Sequence, residues 1–238
     1  MKNKYVRHAH ISEVLFRKVL KLFCADIPAR TAAGLAGLSV QSTQSLYDGL
    51  RLRILALTLE EARPFAGEVE IDESYFGARR VRGKRLAHLP ASTCPLRLLG
   101  GRGAGGKTPV IGLLKRGGKV FTEIVENCSK QALMPIIKGQ VLSEATVYTD
   151  GWKSYDGLVL GGYKHHRIHH HQNQVARGKN HVNGIESFWS FTKLRLAKLR
   201  GIRAQYFFLH LKESEWRWNH RHDNLYLFLL KNLRSKPL

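Results

Sequence analysis

Two apolar runs flanking a Gly-Gly pair, in TPVIGLLKRGGKVFTEIVEN (108–127), constrain this chain more than any other stretch. Each run has the length of a strand and the glycines suit a tight reversal, so the runs pair as an antiparallel hairpin. A strand precedes them in GEVEIDESYFG (67–77), where Val69 and Ile71 alternate with Glu68, Glu70 and Asp72. After the hairpin, SKQALMPIIKGQVL (129–142) reads as a helix capped by Ser129 in spite of Pro135, and ATVYTDG as a short strand ending at Asp150 and Gly151. HRIHHH (166–171) is a short strand or a loop. A long helix begins near His181 and runs to about Leu199, and the stretch from Ile202 to Leu230 is helical and aromatic. Strands and helices in this order predict a mixed sheet with helices on it, an α/β layer architecture.

The first sixty residues differ in kind. Ile11, Val14, Leu15, Val19, Leu22 and Phe23 follow helical spacing behind Ser12 as N-cap. The Ala-rich turn TAAGLAGLS then leads into a second helix carrying Arg51 and Arg53. A short helix, a Gly-containing turn and a helix outline a helix-turn-helix that binds DNA; a helical hairpin that only packs has the same outline. Residues 1–62 are therefore expected to form a small all-α region.

Charge narrows the class of partner. Among 238 residues, 39 are Lys or Arg and 18 are Asp or Glu, a formal net charge of +21. Such a chain attracts polyanions, foremost a nucleic-acid backbone. No stretch approaches the roughly 18 apolar residues of a membrane span, so no membrane role is expected. The start MKNKYVRHAHISEVLF lacks the apolar core of a secretory leader. Cys24, Cys94 and Cys128 are solitary and form neither a disulfide framework nor a zinc pair. A reducing cytoplasm, in association with the nucleoid, is the expected location.

Three acids stand in places suited to chemistry. Asp72 lies in the first strand, Asp150 at the C-terminal end of a later strand where ligands gather in open α/β sheets, and Glu186 on the long helix. On that helix Asn183, Glu186, Ser190 and Lys193 share one face, whereas Val182, Ile185, Trp189, Thr192, Leu196 and Leu199 share another. Convergent oxygen donors of this kind hold hard divalent cations, and a pair of such cations can straddle a scissile phosphate. Glu68, Glu70 and Glu73 flank Asp72, and the residues alone do not choose among them. A lone Asp at a strand end is also a common turn residue, and Trp189 fits the apolar face better than a base-stacking role.

The blocks EIDESYFG, GKTPVIGLLKRGGKV, VYTDGWKSY and HVNGIESFWSFTK, in this order, resemble those of small bacterial insertion-sequence transposases of the DDE class, over roughly residues 12–222. The resemblance is to a subgroup without the N-terminal zinc ribbon that many relatives carry. It implies a ribonuclease H-like mixed sheet flanked by helices over 63–222, with 223–238 as a C-terminal tail. It assigns Asp72 and Asp150 as the two aspartates and Glu186 as the third acid, with Lys193 seven residues further on. Asn183 stands near enough to be a rival or co-ligand, since some relatives use Asn or His in that role. The implied activity is hydrolysis at the terminal inverted repeats of an element, exposing a 3′-hydroxyl, followed by strand transfer into target DNA. Two Mg²⁺ ions, or Mn²⁺ in their place, are the implied cofactors. Double-stranded DNA and a homodimer or larger synaptic assembly are the implied partners.

Two other readings remain open at this level: a decayed transposase that only binds DNA, and a nucleotide hydrolase. The second rests on GRGAGGKT (101–108), which matches the letters of a phosphate-binding loop. That loop needs a helix after it, and here Pro109 and an apolar run come next. The segment 86–103 departs from the family pattern as an insertion. The tract KHHRIHHH (164–171) has histidines but no spaced cysteines, and reads as a basic DNA-facing loop; His181 is placed to orient a phosphate or to cap the long helix.

Overall fold

A computed structural model describes residues 3–7, 10–77, 107–150, 162–168 and 183–238. In chain order the described elements are α1 (Glu13–Cys24), α2 (Ala29–Ala36), α3 (Val40–Glu61), β1 (Glu68–Phe76), β2 (Thr108–Lys115), β3 (Val120–Ile124), α4 (Lys130–Gln140), β4 (Thr146–Asp150), β5 (Lys164–Ile168), α5 (Asn183–Ala197), α6 (Ala204–Asn219) and α7 (Leu225–Ser235). They belong to two compact units. One comprises Met1–Ala62, Lys198–Arg200 and Leu209–Leu238; the other comprises Arg63–Ala197 and Gly201–Phe208.

In the helical unit, the Ser12 hydroxyl accepts the Leu15 N–H and opens α1. Gly37, at φ 71°, ends α2 in the left-handed conformation, and two residues later Ser39 caps α3 by accepting the Ser42 N–H. The expected turn TAAGLAGLS is corrected: Thr31–Ala36 are helical, as part of α2, and only Gly37, Leu38 and Ser39 reverse the chain before α3. Phe16, Val19, Leu20 and Phe23 of α1 pack with Tyr47, Leu50 and Ile54 of α3, Trp216 of α6, and Leu229 and Leu233 of α7. Of the two readings of this segment, Arg51 takes the packing one: its guanidinium is buried, bonded to Glu213 and Asp48 at 2.9 Å each. Arg53 reaches the Pro237 carbonyl. Arg51 is therefore part of the core's ion-pair network, because Glu213, 1% exposed, also holds Arg217 at 2.9 Å.

The second unit is built on one mixed five-stranded sheet in the order β3-β2-β1-β4-β5. β2 pairs antiparallel with both β1 and β3, joined to β3 by the Gly117-Gly118 hairpin; β4 pairs parallel with β1 and with β5. Gly117 takes φ 68° in that turn, which a side chain would resist. Val69, Ile71, Ile111, Leu113 and Val147 point to one face and pack against Leu133 and Ile137 of α4. Pro135 sits within α4 without ending it, six positions after the Ser129 N-cap. The other face is covered by α5. The architecture is α/β, consistent with a ribonuclease H-like fold, with the N-terminal helices in place.

β5 resolves the start of the histidine tract as a strand; His169, His170 and His171 lie outside the described residues, as do His181, Val182 and the segment 86–103. Gly101–Gly106 also lie outside them, but Thr108 opens β2. Lys107 therefore leads into a strand and not into the helix a phosphate-binding loop requires.

Candidate active site

Period-two alternation puts Glu68, Glu70, Asp72, Ser74 and Phe76 on the α5 side of β1. Parallel pairing of β1 with β4 matches Glu70 to Tyr148 and Ile71 to Thr149. The same register carried one residue further sets Asp72 beside Asp150, on adjacent strands and the same face. α5 lies over this face, with Ile185 and Trp189 against Gly112 and the Trp189 ring against Phe76; Phe188, Thr192, Arg195 and Leu196 are buried as well. Asn183, Glu186, Ser190 and Lys193 are exposed along one stripe of α5, as their three- and four-residue steps predict. The Lys193 ammonium lies 6.0 Å from the centroid of the Phe76 ring, at the end of β1.

The electrostatics tie the three acids together. Burial pushes the Asp72 carboxyl up from 3.8 to about 6, and the negative charges of Asp150 and Glu186 push in the same direction. The Glu73 backbone N–H and the Trp189 indole oppose the shift without cancelling it. The indole nitrogen is buried and faces Asp72 from outside regular hydrogen-bond geometry. Asp72 thus sits under like charges in a partly dry place, a situation a bound cation would relieve.

Gly112 makes this arrangement possible. It pairs with Asp72 across the β1–β2 ladder, and a Cβ there would meet Trp189 at 2.5 and 2.9 Å and Ile185 at 3.0 Å. Only a glycine lets the indole come this close to the sheet beside Asp72.

The acids flanking Asp72 have other partners. Glu68 accepts the Tyr148 hydroxyl at 2.9 Å and lies 3.5 Å from Arg116. Glu70, 1% exposed, bonds Arg116 Nε through Oε1 and the Ile185 N–H through Oε2, both at 2.9 Å. Glu73 is on the opposite face, where its charge is felt by Tyr75 and Cys128. Sequence reasoning held Glu70 only as a rival to Asp72 and passed over Arg116, Tyr148 and Gly112. For two of them a signal existed: Glu70 is in phase with Asp72, and a glycine inside the apolar run VIGLL marks a close approach.

As donors, Asp72, Asp150 and Glu186 are hard carboxylate oxygens, the type Mg²⁺ and Mn²⁺ take. No group of three or more His, Cys, Asp or Glu among the described residues is drawn together into a finished coordination cluster. The donor chemistry and the repulsion at Asp72 both fit a cation that would draw the carboxylates in. Among the described residues no helix is long and apolar enough to cross a membrane.

Residues 64–219 match the ISXO2-like transposase domain, a span that covers the sheet, both aspartates and α5. The chain belongs to the ISXO2-like transposase family. It is 40% identical over 115 residues to an uncharacterized transposase-like protein of Haemophilus influenzae, covering 48% of this chain and 93% of that protein. It is 29% identical over 156 residues to an uncharacterized protein in transposable element ISH50 of Halobacterium salinarum, covering 64% of this chain and 52% of that one. Against this second relative the ISXO2-like chain spans about half the length. The family places the chain among insertion-sequence transposases, as the four sequence blocks imply.

Proposed function

We propose that this ISXO2-like transposase cleaves DNA at the terminal inverted repeats of its element and joins the exposed 3′-hydroxyl ends to target DNA. The observation that carries the reading is that two adjacent strands and one helix contribute an acid each over one sheet face, with the charges of Asp150 and Glu186 felt at Asp72. Asp72, Asp150 and Glu186 would hold two Mg²⁺ ions, with Mn²⁺ a substitute; when bound there, such ions stabilise charge on the phosphate and sharpen the attacking hydroxyl.

The chain's own residues divide the remaining work. Trp189 and Ile185, both buried against Gly112, the ladder partner of Asp72, hold the helix down on this part of the sheet. Lys193, two turns beyond Glu186 on the exposed stripe, offers a point charge to a backbone phosphate. Asn183, one turn before Glu186, presents its amide beside the same phosphate path. The net charge of +21 and the α2–turn–α3 segment supply salt-sensitive affinity for duplex DNA. Two ends must be handled together, so the working form is a homodimer or a larger synaptic assembly, acting at the nucleoid.

The test is Mg²⁺-dependent cleavage of a labelled terminal-repeat duplex by the native chain and by Asp72→Ala, Asp150→Ala, Glu186→Ala and Asn183→Ala. The first three variants are expected to bind the duplex and not cut it, and Asn183→Ala to cut more slowly. Cleavage that survives Glu186→Ala but not Asn183→Ala transfers the third ligand role to Asn183. Normal cleavage by all four refutes the site.

A further inference from the structure

We infer that Glu70 is a positioning residue: by accepting the Ile185 N–H it sets the start of α5, and so sets Glu186 against Asp72 and Asp150. This rests on the proposed role of those three acids as metal ligands.

A carboxylate 1% exposed between a sheet and a helix is costly unless both its oxygens are matched. Here each oxygen has one donor, Arg116 Nε on Oε1 and the Ile185 amide on Oε2, at 2.9 Å. The amide is one of the first-turn N–H groups that a helix cannot satisfy internally, and a negative charge there also complements the helix dipole. Caps are ordinarily local in sequence; this one comes from a strand more than a hundred residues earlier. Packing at the contact is tight. A Cβ on Gly184 would stand 2.9 Å from Glu70 Oε2 and 3.0 Å from Leu114 Cδ2, so the helix enters against the carboxylate with no slack.

Arg116 is itself held. Its guanidinium lies 3.7 Å from the Tyr148 ring centroid, and Tyr148 donates to Glu68 at 2.9 Å. Tyr148 is two residues before Asp150 on β4 and on the same face. One network of Glu70, Arg116, Glu68 and Tyr148 therefore touches the strand of Asp72, the strand of Asp150 and the helix of Glu186. Glu186 comes directly after the residue that Glu70 holds.

The experiment uses the full chain and four variants: Glu70→Ala, Glu70→Gln, Gly184→Ala and Glu186→Ala. Four quantities are read: the Mn²⁺ dissociation constant without DNA, amide exchange at the start of α5, and kcat and KM for end cleavage. Glu70→Ala is expected to speed exchange at Ile185, weaken Mn²⁺ binding and lower kcat roughly tenfold to a hundredfold, with KM for DNA unchanged. Glu70→Gln keeps one acceptor oxygen for two donors and falls between. Gly184→Ala leaves every charge in place and favours helix, yet pushes the helix off the carboxylate, so it is expected to share the phenotype. It decides the matter should Glu70→Ala fail to fold. Folded Gly184→Ala with native Mn²⁺ affinity and kcat overturns the inference. If Glu186→Ala abolishes Mn²⁺ binding and cleavage while neither Glu70→Ala nor Gly184→Ala lowers them, this inference alone fails. If Glu186→Ala leaves both intact, the site assignment fails and takes the inference with it.

Discussion

Asp72→Asn should stabilise the protein at alkaline pH while abolishing cleavage. The Asp72 carboxyl is pushed up from 3.8 to about 6, chiefly by burial and then by Asp150 and Glu186. An acid with a raised folded-state pKa binds its proton more tightly when folded, so its ionised form opposes folding. The penalty is fully present above pH 6, fades as the pH falls toward 3.8, and is absent below that. A shift from 3.8 to about 6 corresponds to about 3 kcal/mol at pH 8. Asparagine has the same shape and cannot ionise, so it escapes the penalty. In chelator-treated protein at pH 8, Asp72→Asn is expected to raise the melting temperature by roughly 5–10 °C. At pH 4 the advantage should nearly vanish. Adding Mg²⁺ should then stabilise the native chain by mass action and the variant much less. Thermal unfolding followed by circular dichroism at both pH values tests this. A variant no more stable than the native chain at pH 8, or equally advantaged at pH 4, would refute the account of Asp72.

Gly112→Ala forces a Cβ to within 2.5 Å of the Trp189 ring, and overpacking of this kind costs about 1–3 kcal/mol; chemical denaturation should show the loss, and an unchanged midpoint would mean that the indole has room to move. Glu213→Ala leaves the buried charges of Arg51 and Arg217 short of their shared carboxylate, a change expected to cost about 3–5 kcal/mol. Helical signal lost at lower denaturant would confirm it; a loss below about 1 kcal/mol would show that Asp48 and the Phe23 and Cys24 carbonyls suffice.

Local signals in this chain carried far because they rest on short-range physics. The Gly-Gly hairpin, the Ser12 and Ser129 caps, the strand ending at Asp150 and the two stripes of α5 all arise from spacing within a dozen residues. The features that were not legible depend on partners far apart in sequence. Arg51 looks like a DNA-facing cation until Glu213, 162 residues away, buries it. Nothing local unites Leu209–Leu238 with the first sixty residues; the packing of Trp216, Leu229 and Leu233 with α1 and α3 does, together with ion pairs such as Arg51–Glu213. The sharpest case is the pair Glu70 and Asp72, two acids on one face of one strand. Alternation cannot separate them, and without the family blocks the choice would be arbitrary. The structure separates them by their surroundings. Glu70 is enclosed between a guanidinium and a helix amide, with both oxygens engaged in holding the fold. Asp72 is set instead among charges of its own sign, under an indole that does not complete a hydrogen bond. An acid whose demands are met inside the protein serves structure. The one left electrostatically strained is the one with something to gain from a cation.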